Sequence, residues 1–269
     1  MTVPFAKAHA YGNDFLYVEH ERIRGAAEEV LAREMCDRHA GVGADGLILY
    51  TRTPSGAIMQ LLNADGSRAE VSGNGVRALA ALLLEDVQHV EAKLAIDTQA
   101  GVKRLTRLGR TAGRQTFRAS MGTPEDLQQT TVTIHDEAFS IVTLNIGNPQ
   151  CIVLGRLPDP DRFARVGRAL EKHGMFPNGT NVEFVEVATP SHLRILIWER
   201  GVGPTSSSGT GSCGSLVAAA AFGGASREAD VEAPGGTQRV EWRADNVYLT
   251  GWAEVVCTGE WLGQIPRTS

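Results

Sequence analysis

One four-residue phrase occurs twice in this chain, and its recurrence limits the fold more than any other feature. Ser72-Gly73-Asn74-Gly75 and Ser208-Gly209-Thr210-Gly211 lie half a molecule apart, and the likeness extends outward from both. Asn63 stands as far before Ser72 as Glu199 stands before Ser208. Gly12-Asn13 and Gly147-Asn148 precede the same two serines by spacings that differ by one residue. Features that keep order and spacing in this way indicate two copies of one structural unit. A small ligand held between such copies would meet two matching walls.

The residues that follow give the repeat its physical meaning. Val76 to Leu84 and Ser215 to Phe222 are rich in helix formers and apolar nearly all round, the mark of buried helices. Serine is a preferred helix N-cap, and glycine beside it lets backbone approach a ligand closely. A helix start carries outward N–H groups and the positive end of the dipole, so it receives an anion. Two such starts facing one cleft would hold the carboxylate of a small substrate.

With 269 residues the chain suits two domains, and the repeat selects that division over one large domain. The expected lobes are 1–122 and 123–269, cut at the turn formers Met121 to Asp126, with the last few residues free to return to the first lobe. A net charge of −5 with 21% charged residues gives no basic field for nucleic acid. The basic stretch Lys103 to Arg110 alternates with Leu105, Thr106 and Leu108 and is expected to be the exposed face of a strand. No apolar run is long enough to span a bilayer, and Met1 to Phe5 is not a secretory leader, so the expected location is cytoplasmic. Cys36, Cys151, Cys213 and Cys257 are scattered without a CxxC pair, and the histidines lack ligand spacing. No metal and no cofactor are expected. A homodimer is compatible with the chain, whose spacing leaves oligomeric state open.

Strands are expected at 15–19, 46–50, 58–62, 93–98, 102–108 and 115–119 in the first half, with a helix over 26–38. In the second half they are expected at 139–144, 151–154, 181–187, 193–198, 230–233, 237–242, 247–250 and 253–257, with a helix over 159–173. A helix apolar on every side needs a sheet wrapped around it. The expected class is therefore α+β: two pseudo-symmetric lobes, each a curved, mostly antiparallel sheet around a central helix.

Eight phrases in order resemble the diaminopimelate epimerase family. They are Ala10 to Phe15, Arg38 to Gly46, Asn63 to Ser67, Ser72 to Arg77, Gly147 to Pro149, Thr180 to Val182, Glu199 to Gly201 and Gly209 to Gly211, and they cover nearly the whole chain. The resemblance implies a cofactor-independent epimerase that inverts an amino-acid α-carbon using two groups on opposite sides of it. It implies that Asn13, Asn63, Asn148, Asn181 and Arg200 hold the substrate's carboxylates and ammonium groups. It also implies that Gly73, Asn74, Gly209 and Thr210 surround the reacting carboxylate at the helix starts. Ser72, Ser208 and Glu199 are then the catalytic candidates, and a small amino acid the partner.

The chain departs from the family where the chemistry is concentrated. Family members carry cysteine at the positions of Ser72 and Ser208, histidine at Gln150 and an acidic residue at Pro204, whereas the carboxylate at Glu199 is kept. A thiol ionises near pH 8.5, and a hydroxyl with an acidity like that of water about 7 pH units higher, which makes the alkoxide roughly 10 kcal/mol harder to form. Glutamine does not hold a proton at neutral pH. Besides epimerisation, two readings stay open at the level of sequence. One is isomerisation or elimination on another carbon acid using Glu199, and the other is amino-acid binding with weak or no catalysis.

Overall fold

The chain folds twice into the same order of strands and helices. The structure, a computed structural model, describes residues 2–244 and 246–264. Described residues through Ala119 and from Trp252 onward form one compact unit, and Ser120–Gly251 form the other.

In the first unit the elements run β1 (Val3–Ala10), β2 (Asn13–Glu19), α1 (Glu28–Cys36), β3 (Gly46–Thr53), β4 (Gly56–Asn63), β5 (Arg68–Ala69), α2 (Gly73–Leu83), β6 (Lys93–Thr98), β7 (Gly101–Thr111) and β8 (Arg114–Gly122). β1 and β2 pair antiparallel, β2 and β3 parallel, β3 and β4 antiparallel, and β4 and β6 parallel. The β6, β7 and β8 strands then follow as an antiparallel meander.

In the second unit come β9 (Glu125–Ile134), β10 (Glu137–Asn145), β11 (Pro149–Leu154), α3 (Pro160–Glu171), β12 (Asn181–Thr189), β13 (His192–Glu199), β14 (Gly203–Thr205), α4 (Gly209–Phe222), β15 (Glu228–Ala233), β16 (Gly236–Trp242) and β17 (Val247–Trp261). From β10 onward the pairing signs recur in the same order: antiparallel, parallel, antiparallel, parallel, then an antiparallel meander. Each β1- or β10-type strand also takes one more antiparallel neighbour, residues 254–261 of β17 in the first unit and β9 in the second. The fold is the expected α+β arrangement, and the recurrence identified from sequence spacing is a recurrence of topology.

Hydrophobicity dictates where the helices sit. Every residue of α4 from Gly209 to Ala219 is buried, and strands β10 to β13, β15 and β16 pack around it. The α2 helix is buried from Gly73 to Ala81 against β1, β2, β6 and β7. By contrast α1 and α3 carry one apolar face each. Leu31, Ala32, Met35 and Cys36 of α1 enter one core cluster, while Val166 and Leu170 of α3 enter another with Phe184 and Trp198. The α3 start is set by Asp159, whose carboxylate accepts the Arg162 N–H at 2.8 Å, and by Pro160 in the first turn.

Two expectations need correction. Arg104 and Arg110 of β7 are exposed and Leu105 buried, as expected, but Lys103 and Arg107 point inward while Val102 and Leu108 are exposed, an inversion of the expected basic outer face at those positions. The inversion follows from the end of α2: Arg107 donates to the carbonyls of Leu84 (2.9 Å) and Val87 (2.6 Å) and to that of His89. These are acceptors just beyond a helix C-terminus, where a cation is favoured. The strands expected at 247–250 and 253–257 are one strand, β17. Among the described residues no helix is long and apolar enough to cross a membrane.

Candidate functional site

Each serine of the repeated phrase caps its helix. Ser72, in extended conformation, accepts the Gly75 N–H on Oγ at 3.1 Å, and Ser208 accepts the Gly211 N–H at the same distance. Their carbonyls accept the next N–H, that of Val76 at 2.9 Å and that of Ser212 at 3.1 Å. A helix has no acceptors of its own for its first N–H groups, so those of each starting turn are aimed outward along the axis beside the serine. Ser208, Gly209 and Thr210 are buried, and Ser72 is half-buried beside buried Gly73 and Asn74.

In the first unit a tight hairpin places the first asparagine. Tyr11 (φ 55°) and Gly12 (φ 86°) form the two-residue loop between β1 and β2, a type I′ geometry that matches strand twist but is unusual for tyrosine. Asn13 follows as the first residue of β2. Its Oδ1 accepts from Asn74 Nδ2 at 3.2 Å, and its Nδ2 donates to Asp45 Oδ2 at 2.8 Å. Buried Arg77 donates to Asn74 Oδ1, with its guanidinium 5.9 Å from the centre of the Tyr11 ring. The amides of Asn74 and Asn13 therefore form an oriented chain with a cation at one end and a carboxylate at the other.

Asp45 and Asp14 share Arg38, at 2.7 Å to each, and Lys7 lies 2.9 Å from Asp14. Burial opposes ionisation of Asp14, but the hydrogen bonds from Arg38 and Lys7 outweigh it and hold the carboxyl below its ordinary range. Asn63, at the end of β4, donates to Ser67 Oγ at 2.9 Å within its own turn and does not join the Asn13 chain through that bond.

In the second unit the candidates gather around Gln150. Asn148 lies in the turn between β10 and β11, and Gln150 Nε2 donates to Asn148 Oδ1 at 2.6 Å. Asn181, the first residue of β12, is paired in register with Gln150 and donates to the Pro149 carbonyl at 3.2 Å. The Arg200 N–H donates to Asn181 Oδ1 at 3.0 Å, which fixes the backbone that carries Glu199 and Arg200 out of β13.

Beneath that turn lies buried Glu171 of α3, which accepts from Trp198 Nε1 at 2.7 Å and from the Gly201 N–H at 2.9 Å. Behind Gln150 lies a second buried carboxyl, Glu183. Burial, then the charge of Glu199, push Glu183 well above the usual carboxylate range. Neither Glu171 nor Glu183 was singled out from sequence. The available signal for Glu183 was an acidic residue inside Asn181-Val182-Glu183-Phe184-Val185, a run otherwise suited to a fully buried strand.

No cysteine replaces the missing thiols. Burial, with Asp14 and Asp45 adding to it, pushes the Cys36 thiol up to about 12. Burial and Glu183 likewise raise Cys151. Cys213 is buried within α4 five residues beyond Ser208, and Cys257 lies exposed on β17. The functional groups at the two helix starts are therefore hydroxyls with N–H arrays beside them.

A sequence profile described as diaminopimelate epimerase matches residues 5–125 and 142–256. A diaminopimelate epimerase of Desulfitobacterium hafniense is 37% identical over 274 residues, covering 94% of this chain and 96% of its own. One from Synechococcus elongatus is 38% identical over 277 residues, covering 96% and 98%. Among solved structures, a probable proline racemase from Agrobacterium radiobacter superposes with a TM-score of 0.75 over 96% of this chain and 92% of its own, at 16% identity, a likeness of fold.

Proposed function

We propose that this chain, which belongs to the diaminopimelate epimerase family, is a cofactor-independent isomerase that removes and returns the α-proton of diaminopimelate, interconverting the LL and meso forms. The observation that carries the reading is the pair of serine-capped helix starts at equivalent places in two repeats of one topology. Removing a proton beside a carboxylate sends negative charge onto that carboxylate. Fixed N–H groups at Gly73, Asn74, Gly209 and Thr210 that meet this charge stabilise the transition state more than the ground state. Asn13, Asn63, Asn148, Asn181 and Arg200 hold the remaining charged groups of the substrate.

The change from thiols to hydroxyls sets the proton path. Two helix starts recover about 1 to 2 kcal/mol each in a favourable buried geometry, against the roughly 10 kcal/mol that separates alkoxide from thiolate. Glu199 is therefore the group that takes the α-proton, directly or through a serine or water. As the Cα–H bond breaks, its electron pair delocalises toward the carboxylate and the proton is held on the Glu199 side chain. On the other face a serine hydroxyl relays a proton from water to carbon, giving one as it takes one so that no alkoxide is formed, and the proton held on Glu199 neutralises the hydroxide left behind. The setting is the cytoplasm, in supply of lysine and peptidoglycan precursors.

Proton NMR of LL-diaminopimelate in heavy water tests the reading. Loss of the α-proton signal in the parent, above that with a Ser72→Ala/Ser208→Ala variant, is expected. Equal rates would refute it. A second reading rests on the loss of both thiols and the histidine, which leaves Glu199 as the family's remaining base. In that reading the chain catalyses a one-base isomerisation or elimination on a more acidic substrate, and activity depends on Glu199 while tolerating loss of one serine.

A further inference from the structure

The Glu183 carboxyl sits at the end of a short line of amides, and its surroundings decide which way that line points. Gln150 Oε1 lies 3.0 Å from each Glu183 oxygen. At its other end Gln150 Nε2 donates to Asn148 Oδ1 at 2.6 Å. Its further neighbour, Asn181 Nδ2 at 3.3 Å, is engaged with the Pro149 carbonyl. The two ends of an amide are told apart by what they face.

Were Glu183 ionised, three oxygens would crowd together with no hydrogen among them. Turning the Gln150 amide would let it donate to the carboxylate and accept from Asn181 Nδ2 at 3.3 Å, but would bring its oxygen against Asn148 Oδ1 at 2.6 Å, so Asn148 would have to turn as well. One proton on Glu183 satisfies the whole line without either turn. The O–H donates to Gln150 Oε1, and Gln150 donates to Asn148.

We propose that Glu183 is a positioning residue that works in its protonated form, orienting Gln150 so that Asn148 keeps its N–H donors for a substrate carboxylate instead of presenting its oxygen to an ammonium group. The choice of carboxylate as the group received at Asn148 rests on the function proposed above. The orientation of the line does not.

The environment of Glu183 agrees with a neutral carboxyl. It is fully buried on β12, in register with Ile152 and Ile197. From α4 it faces Gly211, where an added methyl would stand 2.5 Å from Oε1. The titratable groups that face it are Glu199 at the end of β13 and the Cys151 thiol on β11. A buried carboxyl beside a like charge retains its proton.

Nitrogen-15 NMR of the side-chain amides of Gln150 and Asn148, with infrared detection of un-ionised carboxyl, tests the inference without a substrate. The full chain at neutral pH should show a neutral-carboxyl band that Glu183→Gln removes. On raising the pH, both amide signals should move together in one titration, which Glu199→Gln shifts to lower pH and Glu183→Gln abolishes. Absence of the band, or amide signals that still titrate in Glu183→Gln, would overturn the proposal.

Calorimetric binding of diaminopimelate across the same range supplies the other arm. Affinity should weaken along the alkaline limb in the parent and stay flat in Glu183→Gln. Flat affinity in both would overturn the role at Asn148. If diaminopimelate does not bind at any pH while the amides titrate together, the relay stands and the proposed function falls.

Discussion

Gly211 and Gly75 occupy matching positions in the first turns of α4 and α2, yet an alanine should behave differently at each. A methyl on Gly211 would stand 2.5 Å from Glu183 Oε1 and 3.1 Å from both Glu183 Cδ and Ser208 Cβ. A methyl on Gly75 would stand 2.7 Å from Ile48 Cδ1 and 3.3 Å from Ser72 Cβ. Both changes gain about 1 kcal/mol of helix propensity, and overpacking a core costs about 1 to 3 kcal/mol. The Ile48 methyl is the free end of its side chain and can turn aside, which keeps the penalty at the low end. The Glu183 carboxyl is held against Gln150 and cannot retreat without breaking the amide line. Gly75→Ala should therefore be near neutral, and Gly211→Ala destabilising by about 1 to 2 kcal/mol relative to it.

Urea unfolding read at constant slope would measure the difference. Removing the carboxyl in a Glu183→Ala background should relieve the Gly211→Ala penalty, with a coupling of about 0.5 to 3 kcal/mol. Equal stability of the two alanine variants, or a Gly211→Ala penalty unchanged in the Glu183→Ala background, would refute the packing argument.

Arg107→Met should destabilise by about 1 to 3 kcal/mol, because it strands the buried carbonyl of Leu84 and the part-buried one of Val87; an unfolding midpoint within error of the parent would contradict this. Glu171→Gln turns an amide N–H toward either Trp198 Nε1 or the Gly201 N–H, so about 1 to 3 kcal/mol of stability should be lost along with a shift in tryptophan fluorescence. Because Glu183 binds its proton more tightly folded than unfolded, its contribution to stability is complete below the ordinary carboxylate range and declines as pH rises toward its folded value. The parent should therefore lose stability relative to Glu183→Gln with rising pH, by no more than about 1.4 kcal/mol per pH unit, and parallel curves would contradict it.

The two helix starts were legible because capping is local: serine, glycine and an apolar run lie within a dozen residues, and Ser72 and Ser208 cap where that pattern places them. Strand β1 escapes a sequence reading because its inward positions, Ala6, Ala8 and Ala10, are alanines with little strand preference although Lys7 and His9 alternate with them, and β9 because Glu125 to Thr131 is polar apart from Leu127. Arg107 was assigned outward because alternation gives the period of a strand and leaves open which face is buried. The acceptors at the end of α2, supplied from elsewhere in the chain, settled that question. The amide chains follow the same rule. Asn13, Asn74, Asn148 and Asn181 stand out through the family resemblance, whereas their orientation depends on Arg77, Asp45 and Glu183, which reach them through tertiary packing.

The central claim is that the family's substrate-holding groups persist here while its acid and base have been exchanged for hydroxyls. Ser72→Cys/Ser208→Cys restores groups that ionise near pH 8.5, at helix starts that lower the value further. Exchange of the α-proton of diaminopimelate in heavy water, followed by proton NMR in parent and variant, measures the consequence. The account predicts that the variant exchanges orders of magnitude faster, within the roughly 10 kcal/mol that separates the two anions. A folded double-cysteine variant that exchanges no faster than the parent would contradict it.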